Sequence, residues 1–252
     1  MAAVTGVYVY GIVPADVEAD PAARGVGGSS TPVTVVRHGR IGALVSELNL
    51  DRALGTPDDL LGHEALLDAT AAVVPVLPVR FGAVVTDREA VVDELLAAHH
   101  DEFDSALRQL DGKAQYVVSA QYVQDTVLQD VLAENPRIQQ LQAAVRGRPD
   151  EAVHGERIAL GQAVNEAIEA RRQTDGRALV EAVAPLAAGV VTREATGEYE
   201  AATVAVLTGV DRERDLVRTV EKLAADREGK ITIRLLGPIA PYDFVADLRP
   251  GE

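Results

Sequence analysis

The chain of 252 residues has no cysteine, no tryptophan, a single methionine and only 4% aromatic residues. Without cysteine, disulfides and thiolate metal sites are excluded, which suits a reducing compartment. No run reaches the roughly 18 apolar residues that a membrane helix needs, and no charged-then-apolar leader opens the chain. A soluble, cytoplasmic protein is expected, with no membrane partner. Excess positive charge is missing too. Residues 1–125 carry 8 Lys+Arg against 18 Asp+Glu, and residues 126–252 carry 16 against 21, for a net charge of −15. Neither half has the electrostatic footprint of a nucleic-acid binder, and the same sign disfavours anionic membrane surfaces. What the chain does have is Ala, Val and Leu: 47% hydrophobic residues are enough to bury a core, in one or two domains.

Sequence patterns that carry chemistry fail for want of context. Gly25, Gly27 and Gly28 precede no helix, so they are not a dinucleotide loop. His63–Glu64 lacks the second histidine of a zinc-protease helix, since position 67 is leucine. None of the five serines sits in a nucleophile elbow, and no phosphate-cradling GxxxxGK[ST] occurs. The run His99–Asp104 is the one metal-like cluster. On a helix His100 shares a face with Asp104, and His99 with Glu102, so at most two ligands converge where a catalytic metal wants three. It reads as a solvated helix end, with no metal and no cofactor. The acidic pairs Asp58–Asp59 and Asp93–Glu94 are adjacent in sequence and diverge, whereas general acid–base work needs convergence. No catalytic constellation emerges, and the chain is not expected to be an enzyme.

The stretch that organises the rest is Val73–Val85, VVPVLPVRFGAVV. Pro75 and Pro78 rule out a helix interior, because each lacks an N–H and clashes with the preceding turn. The segment must be extended, and it reads as a buried connector across the core, with Val73, Val74, Val76, Leu77, Val79 and Phe81 inward. Arg80, its one charge, then needs a partner, for which Glu64 and Asp68 are candidates. Gly82 allows a bend at positive φ. His63 is expected to make a polar contact beneath the connector.

Around it the pattern is mixed. Val4–Val13 alternates as a strand, Ala19–Thr31 is a glycine-rich loop, and Val33–Arg37 and Ile41–Leu48 form a hairpin about Gly39. Pro57 opens a helix to about Ala72, with Leu60, Leu61, Leu66 and Leu67 on its buried face. Thr86 with Glu89 reads as a capping box for a helix ended by Gly112. Tyr116–Val123 is a strand closing the first half. Asp125–Gly147 is a helical connector interrupted at Pro136, followed by a long helix from Pro149 to about Ala184. Strands at Gly189–Thr196 and Tyr199–Thr208, a helix at Asp211–Ala225, a strand at Lys230–Leu236 and a docked, extended tail complete the chain. The fold class is α+β, in two domains at 1–124 and 125–252. The halves share an element order, which hints at duplication.

PVLPVRFGAVV with His63–Glu64 upstream, YVYGIV at Tyr8–Val13 and GPIAPYDFV at Gly237–Val245 together resemble the gas vesicle protein F/L family. Ile239 stands where that family has Trp, and Ala240 separates the closing prolines. The resemblance implies a modified ferredoxin-like N-terminal domain and a C-terminal α+β, ferredoxin-like domain with a long helix. It implies a non-enzymatic accessory protein of gas vesicles, a minor component or assembly factor. Its implied partners are the small hydrophobic shell subunit and other accessory proteins. Arg80, Phe81, Tyr242 and Phe244 are the candidate contacts, and Pro75, Pro78, Gly82, Gly237, Pro238 and Pro241 the structural motif. The alternative reading is a small-molecule sensor or enzyme on a duplicated ferredoxin-like scaffold, a fold that hosts many functions.

Overall fold

A computed structural model of the chain describes residues 5–27, 32–51 and 53–245. Val4 of the expected first strand and residues 28–31 of the expected loop lie outside them. The protein is α+β, with two antiparallel sheets and a long helix. Two compact units emerge: one takes the chain up to Tyr116 with Leu207–Val210 and the segment from Gly237, the other Val117–Val206 and Asp211–Leu236. Among the described residues no helix is long and apolar enough to cross a membrane.

The first sheet holds β1 (Thr5–Pro14), β2 (Thr34–His38), β3 (Ile41–Asn49) and β4 (Leu77–Pro78) in the order β2-β3-β1-β4, with β5 (Val84–Val85) also on β1. The β2–β3 hairpin turns at Gly39, φ 58°, as its spacing predicts. β1 is buried along nearly its whole length, so it feeds both faces. Val7, Val9 and Ile12 pack on one side and Tyr8, Tyr10 and Val13 on the other. Strict alternation would not allow this; a register shift between Val9 and Gly11 does, because it leaves Tyr10 unopposed and flips the parity beyond it. Gly11 also lets β4 approach: a Cβ there would lie 2.8 Å from the Leu77 carbonyl oxygen.

The connector Val73–Val85 is extended, but it does not thread the core. It is the broken fourth strand, hydrogen-bonded to β1 at Leu77–Pro78 and Val84–Val85 and through Val79 N–H to the Tyr10 carbonyl (2.8 Å). Val76 and Leu77 are buried and Val79 is half-buried, whereas Val73 is 83% exposed. Arg80 is exposed and forms no ion pair among the described residues, so the expected partnership with Glu64 or Asp68 is not made. An edge segment has one wet side, and on that side a lone arginine needs no counter-charge.

α1 (Pro57–Ala71) starts in a capping box of Thr56 with Asp59. Its buried residues are Asp59, His63 and Leu67, spaced by four, while Leu60 and Leu61 face solvent and only half of Leu66 is covered, contrary to the leucine face expected. The next helix is capped by Asp87 rather than Thr86, its carboxylate accepting from Ala90 N–H (2.9 Å). A short turn α2 (Arg88–Ala90) widens into a π-helical segment (Val91–Leu96), and α3 (His100–Leu110) follows, ending before Gly112.

The second sheet has β6 (Lys113–Tyr122), β7 (Ala187–Arg193), β8 (Glu200–Gly209) and β9 (Ile231–Ile239) in the order β7-β8-β6-β9. The run Tyr116–Val123, expected to close the first half, is therefore an inner strand of the second sheet. Between β6 and β7 come α4 (Gln124–Glu134), α5 (Pro136–Val145) and the 30-residue α6 (His154–Val183); between β8 and β9 comes α7 (Glu213–Asp226). Pro136 splits α4 from α5, as expected, with Asn135 capping the second. This β-α-β-β-α-β path with its strand order is ferredoxin-like. The first sheet repeats the order with α1 on its second crossover and no helix among the described residues of its first.

Beyond β9 the chain is docked but not extended. Ala240 is fully buried and Tyr242–Phe244 form one 3₁₀ turn.

Candidate functional site

The three sequence blocks quoted above meet at His63. The ring is 1% exposed. Its Nδ1 lies 3.0 Å from the Tyr8 hydroxyl, and its Nε2 lies 2.9 Å from the Tyr242 hydroxyl and 3.2 Å from the Val79 carbonyl oxygen. That carbonyl can only accept, so Nε2 carries the proton and Nδ1 accepts from Tyr8. Tyr8 in turn accepts from Gly82 N–H (3.0 Å), at a residue whose φ of 93° gives the expected bend. Phe81 packs edge-on against His63, ring centres 5.6 Å apart, and Tyr10 stacks on it at 5.7 Å.

Burial sets the electrostatics. It lowers the His63 pKa, opposed in part by the Val79 carbonyl, and keeps the imidazole neutral. It pushes the Tyr8 hydroxyl up to about 12 and raises Tyr10 and Tyr242 as well. Asp68 is raised by burial while accepting from Ala240 N–H (2.8 Å). The closing segment is thus pinned by His63 through Tyr242, by Asp68 through Ala240, and by reciprocal bonds between Gln115 and Asp243. A histidine whose two nitrogens are both engaged by interior groups works as a fastener.

Of the candidate contacts, Phe81 and Tyr242 come together at His63. Phe244 is half-buried against the other side of the first core, and Arg80 stands in solvent. Pro75 and Pro78 lie half-buried in the connector, Pro78 opposite Gly11; Gly237–Pro238 is a cis peptide, and Pro241 precedes the 3₁₀ turn. The expected helix-end cluster is not simply solvated. Asp104 is buried, bound by Arg40 (2.7 Å) and by Arg108, and the Arg40 hydrogen bond holds its carboxyl below the usual range. His100 Nε2 faces Arg40 N–H at 3.3 Å. The hub role of His63 with the two tyrosines escaped sequence reasoning; the available signal was a polar tip on each of three aromatic residues in apolar runs, since a buried tyrosine hydroxyl seeks a partner.

Residues 6–246 match the family described as gas vesicle synthesis protein GvpL/GvpF. Gas vesicle protein F of Streptomyces sp. (strain CB03234) is 31% identical over 239 residues, covering 94% of this chain and 98% of that protein. Gas vesicle protein L of the same organism is 27% identical over 264 residues, covering 94% and 91%. The crystal structure of gas vesicle protein GvpF from Anabaena sp. PCC7120 superposes with a TM-score of 0.81 at 24% identity, covering 95% of this chain and 98% of that one. That from Microcystis aeruginosa gives 0.76 at 22% identity, with 95% and 98% covered. The class is an α+β gas vesicle accessory protein rather than an enzyme. The chain belongs to the gas vesicle synthesis protein GvpL/GvpF family.

Proposed function

We propose that the chain is an assembly factor that binds the small, hydrophobic shell subunit while gas vesicles form, working in the cytoplasm alongside other accessory proteins. One observation carries this reading: α1 and the connector's first residue leave large apolar side chains in water, Leu61 at 63% and Val73 at 83%. Exposed apolar side chains of this kind suit an apolar client that must be kept from stacking with its own kind. Arg80, Phe81, Tyr242 and Phe244 are the contacts assigned, with the prolines and glycines of the two blocks shaping the backbone that presents them.

Co-purification of the shell subunit with the full chain tests the reading. Val73→Asp, at a site exposed enough to leave the fold intact, is expected to cut capture about tenfold, roughly 1.4 kcal/mol. Absence of any capture by the natural chain, with its circular dichroism normal, overturns it.

A further inference from the structure

A hollow of about 1030 Å³ in the first unit lies where the described residues of the β1–β2 crossover form no helix. One wall is the crossover loop from Pro14 to Arg24; the other is α1, and Leu107 of α3 with Val73 and Val74 of the connector complete the lining. We propose that this groove docks an amphipathic helix of a partner protein, apolar on one face and basic along the flank that meets the loop.

Four observations argue for that occupant. The second sheet has the same strand order and covers its first crossover with helices, whereas here the described loop residues Val17, Ala19 and Ala23 pack on the core in a helix's place and leave a groove beside α1. The α1 wall presents Gly62, Ala65 and Ala69, three and four residues apart, and such small side chains let a second helix approach closely. The loop wall carries Asp16, Glu18 and Asp20 against Arg24; Glu18 is paired with Arg37 (2.7 Å), and the lining's other arginines, Arg40 and Arg108, are bound to Asp104, so it is Asp16 and Asp20 that complement lysine or arginine. The volume is at or above the top of the range for small-molecule pockets, about 300–1000 Å³, and suits a few turns of one helix face. A second copy of this chain, at net charge −15, would bring like charge against the acidic wall. The proposal does not require that the partner be the shell subunit.

The test uses the full chain and two fluorescein-labelled 18-residue designed helices with one Leu/Ala stripe, flanked in one by Lys and Arg and in its twin by Glu. Anisotropy is read at about 0.15 M salt, where long-range attraction is screened beyond roughly 8 Å. The basic helix is expected to bind at least tenfold more tightly than its twin. Ala69→Arg, at an exposed position on α1, should weaken it at least tenfold with thermal unfolding unchanged. The double change Asp16→Asn, Asp20→Asn should shrink the preference to under threefold. Equal binding of both helices, no binding of either, or indifference to Ala69→Arg overturns the proposal. So does light scattering in which the natural chain is a dimer and Ala69→Arg a monomer, which would give the groove to a second copy.

Discussion

In the second sheet the chain passes from β6 to β7 through α4, α5 and α6, helices that satisfy their own backbone groups; in the first it passes from β1 to β2 with no helix among the described residues. A crossover of that kind still has N–H and C=O groups to satisfy. Side chains supply the partners. The Tyr10 hydroxyl accepts from Val26 N–H (2.6 Å), Asp59 accepts from Gly27 N–H (3.2 Å), and Arg37 donates to the Ala15 and Val17 carbonyls (2.7 and 3.0 Å). The second unit does this at its β7–β8 turn, where Arg172 donates to the Gly197, Glu198 and Glu200 carbonyls. Elsewhere it places polar side chains in clusters such as Asp130 with Arg171 and Lys230, or Asp175 with Arg227 and the Tyr122 hydroxyl. Removing a helix from a ferredoxin-like layer thus moves hydrogen bonding from backbone ladders to a few side chains, and concentrates sensitivity in them.

The largest effects should not distinguish the two. Leu67→Ala and Leu216→Ala, both at fully buried positions, are each expected to cost about 2–5 kcal/mol in urea unfolding. A cost below about 1 kcal/mol at either would mean that its core is not packed as described. Tyr10→Phe is the sharper probe: it strips an acceptor from Val26 N–H and a partner from Ser46, for about 1–3 kcal/mol, with faster hydrogen exchange in the loop. Tyr122→Phe leaves Asp175 its arginine and should cost about 1 kcal/mol or less. If the two tyrosines cost the same, the contrast fails.

Acidification should act on the first unit. The folded pKa of His63 lies below its ordinary 6.5, so the unfolded chain takes up the proton first. Its contribution is whole above about pH 6.5 and is lost as pH falls through the folded value. His63→Gln should flatten that part of the stability–pH curve; an unchanged curve would exclude the imidazole as its source. The smallest effect is expected at Asp68, whose pKa, raised by burial, means that folding penalises its charged form. Asp68→Asn keeps an oxygen for Ala240 N–H and should stabilise by under about 1 kcal/mol at pH 7; destabilisation beyond that would show that the charge itself holds the closing segment.

Features set by local chemistry were legible in the sequence. Gly39 turns its hairpin, Pro57 opens α1, Pro136 splits two helices and Gly112 follows another, because each acts within a few residues. Features that depend on a distant partner were not. The leucines of α1 suggested a buried face, yet the helix turns Asp59, His63 and Leu67 inward, since the loop amide of Gly27 and the tyrosine hydroxyls lie on that side. The apolar connector looked like a core segment because its composition does not record that β1 pairs with it along one edge only. β6 carries no mark of which sheet it joins. The family blocks were plain in the chain, but that they share one imidazole is a fact of tertiary structure.

The shift in β1 between Val9 and Gly11 has a consequence for how this strand can vary. Ahead of the shift, even-numbered residues point toward α1; behind it, odd-numbered ones do, as Tyr8, Tyr10 and Val13 show. The strand is read in two frames joined at one residue. Lengthening or shortening it there by a single amino acid would turn one end inside out, exchanging the tenants of the two layers, so substitutions are open to β1 where insertions are not.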